Sequence, residues 1–276
     1  MSQPAARDVT TASGSAGRRG TDGIRERLAV YYARYYRDTL GLPDWQTLVS
    51  VRLDDKRYEG ERLARLERFV GATLSGCRML NVGCGPGGFN VAATSAGARA
   101  WGVDSSWDAV AIASDRVPGG RVVCAAAEAL PFIDAWFDVI YCYSTLEHVE
   151  EVSSALREMG RVLRPGGSLY LHTPNRLSCF ESHYKLFWPP GLPRWVVHLY
   201  LSVRRRPAAF AETLRLLTLG ECRRLVEQAG FRVTRVMNLD RARPVGGPLW
   251  PLVRLYYRLF GIHPYVELLA VREAEP

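Results

Sequence analysis

Two acid–imidazole pairs make this sequence a candidate for proton chemistry: Glu147-His148, and Glu181 with His183 two residues on. Histidine titrates closest to neutral pH, so it is the usual side chain for taking a proton from a hydroxyl group. Each pair follows an apolar run, 137–142 in one case and 168–173 in the other. In an open α/β sheet the ends of such strands are where ligands meet the protein. Plainer roles are also open: His148 can simply order its loop, and Glu181 and His183 can pair to fix their segment. Arg176 offers a cation for an anionic group, whereas His172, inside an apolar run, reads as a satisfied core histidine. The six cysteines form no CxxC pair and show no ligand spacing with histidine, and several fall in apparent buried strands, where Cys acts as a small hydrophobe. A reducing, cytoplasmic setting is the expectation.

The second chemical feature is a glycine turn, Asn81-Val82-Gly83-Cys84-Gly85-Pro86-Gly87-Gly88, after an apolar strand and before a helical stretch. Glycines let the backbone approach a ligand closely, and the helix start offers free N–H groups to an anion. Asp104 ends the next apolar run, where a carboxylate can accept both hydroxyls of a ribose. Gly83, Gly85 and Gly88 satisfy GxGxxG, so these residues alone leave a nicotinamide enzyme open.

The elements that must position these groups alternate. Apolar runs at 78–82, 100–103, 121–124, 137–142, 168–173, 231–237 and 266–271 are separated early on by helical stretches at 88–97, 106–115 and 151–163. Repeated βα units predict a mostly parallel sheet covered on both faces. Helices are expected at 24–40 and 60–74 ahead of it. Thr218-Leu219-Gly220-Glu221 is a capping box for a late helix that Gly230 closes. Residues 1–20, rich in Ser, Ala, Gly and Arg, read as a disordered tail, 21–76 as a helical cap, and 77–276 as one domain. Two insertions at about 176–210 and 243–262 interrupt the alternation.

Charge is uneven within the net +8. Residues 77–175 hold seven basic against ten acidic residues, a net −3, while 176–206 carry +5 and 241–258 carry +4. Both basic segments are rich in aromatic and aliphatic residues, a composition that suits an interfacial helix on anionic lipid. Peripheral contact with an anionic membrane is therefore an expectation, with a substrate lid or a dimer contact as alternatives. Nucleic-acid binding is not expected, because no RNA-binding module accompanies the arginines. No apolar run is long enough to span a bilayer.

Across these elements the chain resembles the class I S-adenosylmethionine-dependent methyltransferase family. The resemblance rests on five ordered motifs: Val82–Gly87, Gly102–Ser106, Glu128–Phe132 with Phe137–Ile140, Leu146–Val149, and Leu163–Gly167. A nicotinamide dehydrogenase shares only the first two. The resemblance implies S-adenosyl-L-methionine as cofactor, with Asn81, Gly83, Cys84, Gly85 and Gly87 around its methionine and ribose. It places Asp104 and Ser105 at the ribose, Ala127 and Glu128 beside the adenine, and Tyr143 along the methionine. Many relatives have Asp where this chain has Ala126. Ubiquinone-type O-methyltransferases, similar in this region, carry a further Glu three residues before the Glu-His pair and so build a metal cluster. Ser144 stands there in this chain, so no metal is expected. The 173–193 segment resembles methyltransferases of bacterial surface-glycan and glycolipid assembly.

The expected fold is α/β, a Rossmann-like seven-stranded, mostly parallel sheet with helices on both faces, its last strand antiparallel. The implied function is O-methylation of a small molecule, glycan or glycolipid, with Glu147, His148, Glu181 and His183 as catalytic candidates. Transfer to carbon or nitrogen of a quinone or natural product, or a non-catalytic partner keeping the fold, are the alternatives.

Overall fold

The computed structural model describes residues 16–236 and 250–274, with residues 16–22 and Lys56 described by their backbone only. The expected tail up to residue 15, and the part of the second insertion from 243 to 249, lie outside the described residues.

Each central strand carries apolar side chains on both faces, which only a doubly covered sheet can bury. In β1 (Arg78–Val82) Met79 faces one side while Leu80 and Val82 face the other. In β4 (Phe137–Tyr143) Tyr141 and Ile140 divide in the same way. The remaining strands of the sheet are β2 (Arg99–Asp104), β3 (Val122–Cys124), β5 (Leu163–Pro174), β8 (Phe231–Val236) and β9 (Tyr265–Arg272). A small ribbon of β6 (Phe180–Glu181) and β7 (Leu186–Phe187) stands apart. The sheet order is β3-β2-β1-β4-β5-β9-β8, with β9 antiparallel to both neighbours, as expected.

On one face pack α6 (Val152–Val162) and α9 (Leu219–Gln228), through Leu156, Met159, Cys222 and Val226. Across the sheet, α3 (Asp55–Val70) and α4 (Gly88–Ser95) bury Leu66, Phe89 and Ala93 against Tyr141, Tyr170 and Leu269. Glu267 of β9 is fully buried and neutralised there, pairing with Arg65 of α3 and accepting from the Tyr170 hydroxyl. The strand order reverses between β1 and β4, so the crevice at their carboxyl ends is the natural ligand position. Gly83, Asp104 and Ser144 all sit at those ends.

Two parts of the chain roof this crevice. The first is α1 (Ala16–Ala33), which runs on as a π-helical segment (Arg34–Thr39), followed by α2 (Trp45–Leu53). It begins earlier than 24 and covers residues assigned to the tail; α3 likewise starts before 60 and ends at Gly71, whose φ of +78° stops a helix expected to reach 74. Leu28 and Tyr32 pack with Ile112 of α5 (Trp107–Arg116), and Arg27 pairs with Asp115 at 2.5 Å. The second part is the ribbon with α7 (Arg194–Val203) and the short α8 (Ala209–Thr213). Leu40 and Leu42 bury against Tyr184, Leu186, Val197 and Leu201, locking the two roof pieces together. α10 (Trp250–Phe260) stands outside this roof. Tyr257 anchors it to Ser178 and Cys179, on the outer side of the ribbon.

Candidate active site

The glycine turn shows why its residues are small. Gly83 has φ +75°, and a Cβ there would stand 2.0 Å from the Thr145 hydroxyl, so only glycine lets β1 and β4 close up at this end. Gly85, at φ +51°, meets no protein atom within 4 Å on its Cβ side, which leaves that side of the turn open. Asp104 is built into the same wall. Its two oxygens accept the Gly85 N–H at 2.8 Å and the Ser106 N–H at 2.9 Å, which pins the turn to the end of β2. Burial raises its carboxyl above the ordinary range although those N–H groups pull it down. Ser144, a non-glycine residue at φ +52°, turns the chain sharply as β4 ends. Such backbone strain in a non-glycine residue is characteristic of functional sites.

Two adjoining cavities fill the crevice, of about 450 Å³ and about 870 Å³. Tyr31, Tyr35, Gly83, Asp104, Ser144 and His148 border both. The larger is walled by Ser105, Ala126, Ala127 and Glu128. Glu128 also accepts the Glu150 N–H at 2.8 Å and so ties its loop to the start of α6. The smaller holds Asn81, Cys84 and Tyr143 in its wall. Tyr143 lies between the Arg62 guanidinium, 4.1 Å from its ring centre, and the His172 ring, stacked at 3.9 Å. Asn81 is buried and donates to Asn90 at 2.7 Å, which joins β1 to α4.

His148 and His183 border the smaller cavity, while Glu147 and Glu181 border neither cavity and lie buried behind the histidines. The ribbon turn brings His183 back over the end of β4, where its ring centre is 5.5 Å from that of His148. His183 Nδ1 is 2.7 Å from Glu181 Oε1, and its Nε2 is 3.8 Å from Glu147 Oε1. Burial works against a charged His183, but the hydrogen bond and charge of Glu181, with Glu147 behind, outweigh it and the imidazole is raised. Burial lifts Glu147 to about 7, opposed by His183 and by Thr173, whose hydroxyl donates to it at 2.8 Å. His148 opens onto the cavities, yet crowding and the neighbouring His183 push it down to about 4, so it is neutral at physiological pH.

Several expectations need correction. Gly87 borders neither cavity; at φ +79° and packed on Ala113 and Val117, it is the turn into α4. The Cys84 thiol is buried against Gly102 and Val110, leaving its main chain to the cavity. Arg176 binds no ligand region, since it pairs with Glu221 of α9 at 2.7 Å on the surface. His172 is not a satisfied core residue: it is stacked between Tyr143 and Tyr265, borders the smaller cavity, and has no partner at Nδ1. α10 lies on the far side of the ribbon, so its residues border neither cavity and it is no lid over them. Metal ligation also looks different in three dimensions. Among the described residues, Glu147, His148 and His183 place one ligand atom each within 4.8 Å of one another. No motif marks Tyr58, Glu59 and Arg62, which α3 contributes to the smaller cavity.

Residues 80–171 match the family model of a methyltransferase domain. An O-methyltransferase, resE, of Aspergillus sclerotiorum is 33% identical over 192 residues, covering 66% of each chain. The chain belongs to the class I S-adenosylmethionine-dependent methyltransferase family. Other family members are similar over shorter stretches. The ubiquinone biosynthesis O-methyltransferase of Bradyrhizobium sp. (strain ORS 278) is 33% identical over 133 residues, 44% of this chain and 52% of its own. A demethylmenaquinone methyltransferase of Chlorobaculum tepidum is 28% identical over 161 residues, 56% of this chain and 60% of its own. This methyltransferase chain thus spans about half to two thirds of the length of the curated relatives it matches. The solved S-adenosylmethionine dependent methyltransferase of Mesorhizobium loti shares the fold, with a TM-score of 0.53 at 19% identity over 75% of this chain and 96% of that one.

Proposed function

We propose that this protein transfers a methyl group from S-adenosylmethionine to a hydroxyl oxygen of a small-molecule, glycan or glycolipid acceptor. One observation carries the choice of oxygen: a histidine held by a carboxylate, His183 on Glu181, opens into the same cavity as Gly83, Gly85 and Asp104. The residues fit the donor, because the open side of Gly85 and the acid at Asp104, which is fixed by the Gly85 N–H, can cradle an adenosyl group. Bound there, the donor supplies an electrophilic sulfonium methyl group. The larger cavity, with Ser105, Ala127 and Glu128, would take the adenosyl end, and the wall around Asn81 and Tyr143 the methionine end.

The chain's own work is alignment, exclusion of water and removal of a proton. With the proton on His183 Nδ1 directed at Glu181, Nε2 is left as acceptor for the proton of an incoming hydroxyl. His148, neutral and open to the cavity, is the second candidate for this step. Tyr31, Tyr35 and Tyr36 roof the chamber. The test is formation of S-adenosylhomocysteine with phenols, quinols and sugars as acceptors, and location of the new methyl by NMR. Turnover that needs a hydroxyl acceptor and is lost in His183→Asn with donor affinity unchanged supports the proposal. A product methylated at carbon or nitrogen would replace it with the alternative.

We also propose that α7 and α10 rest on an anionic bilayer surface. No helix among the described residues is long and apolar enough to cross a membrane. Both helices turn a buried pair inward, Val197 with Leu201 and Val253 with Tyr257. Their opposite poles are apolar and exposed: Trp195, Leu199 and Val203 on one, Leu252, Leu255 and Leu259 on the other. Arg194, Arg204 and Arg205, and Arg254 with Arg258, are exposed on or beside these helices, and residues 188–206 and 250–260 contain no acidic side chain. Apolar poles accompanied by arginines suit an anionic lipid interface, although Glu212 pairs with His198 of α7 at 3.0 Å.

A further inference from the structure

Three arginines of the helices around the crevice are paired with carboxylates. Arg116 pairs with Asp55, Arg65 with Glu267, and Arg62 donates to Glu59 at 2.8 Å and to the Tyr141 hydroxyl at 3.0 Å. Arg52, near the end of α2, borders the smaller cavity and has no carboxylate partner among the described residues. Its guanidinium lies 4.8 Å from the ring centre of Tyr32 and 4.3 Å from that of Tyr58. One N–H group donates to the Tyr32 hydroxyl at 3.2 Å, and Nε is buried with no partner. Glu59, in the same wall, is already engaged by Arg62.

A guanidinium presents five N–H donors in a planar fork, and aromatic rings attract the cation without accepting from that fork. Glu59 and Asp55 act on this cation only through space; a largely enclosed guanidinium with an unused buried donor and no hydrogen-bonded carboxylate gains when a ligand supplies the anion. The fork matches a carboxylate or a phosphate, either of which it can hold through paired hydrogen bonds. The same cavity also carries apolar lining from Tyr36, Leu40, Leu42 and Leu48.

We propose that Arg52 is an anion receptor of this chamber, taking the carboxylate or phosphate of a ligand whose apolar part lies along Tyr36, Leu40 and Leu48. The inference rests on the reading of the cavity as the reaction chamber. Two sources share this chemistry, the methionine carboxylate of the donor and an acidic group on the acceptor.

Calorimetry on the full chain separates them, with Arg52→Gln compared with wild type. The probes are S-adenosylhomocysteine, 5′-methylthioadenosine (which has no carboxylate), and inorganic phosphate added to the S-adenosylhomocysteine complex. Loss of phosphate binding in the variant, with unchanged affinity for both nucleosides, supports the proposal and assigns the anion to the acceptor. A loss of tenfold or more for S-adenosylhomocysteine, with methylthioadenosine unchanged, supports it and assigns the anion to the donor. Equal binding of every probe by variant and wild type overturns it. Arg52→Met keeps the packing between Tyr32 and Tyr58 and serves the same test if the glutamine variant does not fold. Methylthioadenosine binding to wild type reports on the donor site alone. Its absence, beside Arg52-dependent phosphate binding, would remove the donor reading and leave this inference standing.

Discussion

Glu181 and His183, two residues apart on one turn, are joined by a 2.7 Å hydrogen bond between Oε1 and Nδ1. The other Glu181 oxygen accepts the Tyr184 N–H at 2.6 Å, so the carboxylate is fixed by the main chain before it fixes the imidazole. Because His183 is raised, its base form emerges only as pH climbs past the ordinary imidazole value of 6.5. We expect an acid limb in kcat/KM above that value. Glu181→Gln should move the limb to lower pH and reduce the plateau, and His183→Asn should cost on the order of 10²–10⁴-fold in kcat. A pH–rate profile unchanged by Glu181→Gln would remove the pair from the proton transfer.

Glu147 makes a separate prediction about stability. Burial lifts its carboxyl from 4.5 to about 7, so the folded chain holds this proton more tightly than the unfolded chain. The stability this gives is complete below pH 4.5 and is lost as pH rises through about 7. Glu147→Gln keeps an acceptor for Thr173 and never ionises. Urea unfolding should show it equal to wild type at pH 4 and more stable at pH 8, by roughly 2–3 kcal/mol. A variant less stable than wild type at pH 8 would contradict the direction of the shift.

The two cavity glycines should separate stability from binding. At Gly83 a Cβ collides with Thr145, so Gly83→Ala should destabilise the fold by roughly 1–3 kcal/mol as well as abolish donor binding. At Gly85 the added methyl meets no protein atom, and the left-handed backbone alone costs roughly 1–2 kcal/mol. Gly85→Ala should therefore fold and bind S-adenosylhomocysteine at least tenfold more weakly. Thermal melts and titration calorimetry on the two variants check this, and full donor affinity in Gly85→Ala would refute the cradle.

Membrane contact is tested by co-sedimentation with vesicles containing phosphatidylglycerol. Wild type should bind at low salt, and Trp195→Ser with Leu199→Ser, or Leu255→Ser with Leu259→Ser, should weaken binding about tenfold or more. Binding to neutral vesicles with equal strength would remove the role given to the arginines, and no binding at all would remove the contact.

Much of the sheet and of the glycine turn of the candidate donor site was legible in the sequence because it is local. A strand, a glycine turn and a helix start lie within residues 78–95, and Asp104 closes the next unit. Glu181 and His183 were legible for the same reason, being neighbours on one turn. Residues brought in by tertiary packing were not. Arg52, Tyr58, Glu59 and Arg62 sit on helices whose pattern shows only amphipathic faces, and nothing local marks which of them turns toward Gly88 and the cavity. Arg176 was misread because its partner, Glu221, lies 45 residues on and belongs to the capping box of α9. The grouping of His183 with Glu147 and His148 depends on how the ribbon folds back, which no spacing in the chain encodes.

The central claim, an adenosyl donor held by the glycine turn and Asp104, is tested most directly by calorimetric titration of wild type and Asp104→Ala with S-adenosylhomocysteine and with NADH. The account predicts that wild type binds S-adenosylhomocysteine and not NADH, and that Asp104→Ala, folded by its melting curve, loses tenfold or more in affinity. Tight binding of NADH, or undiminished binding of S-adenosylhomocysteine by the variant, would contradict it.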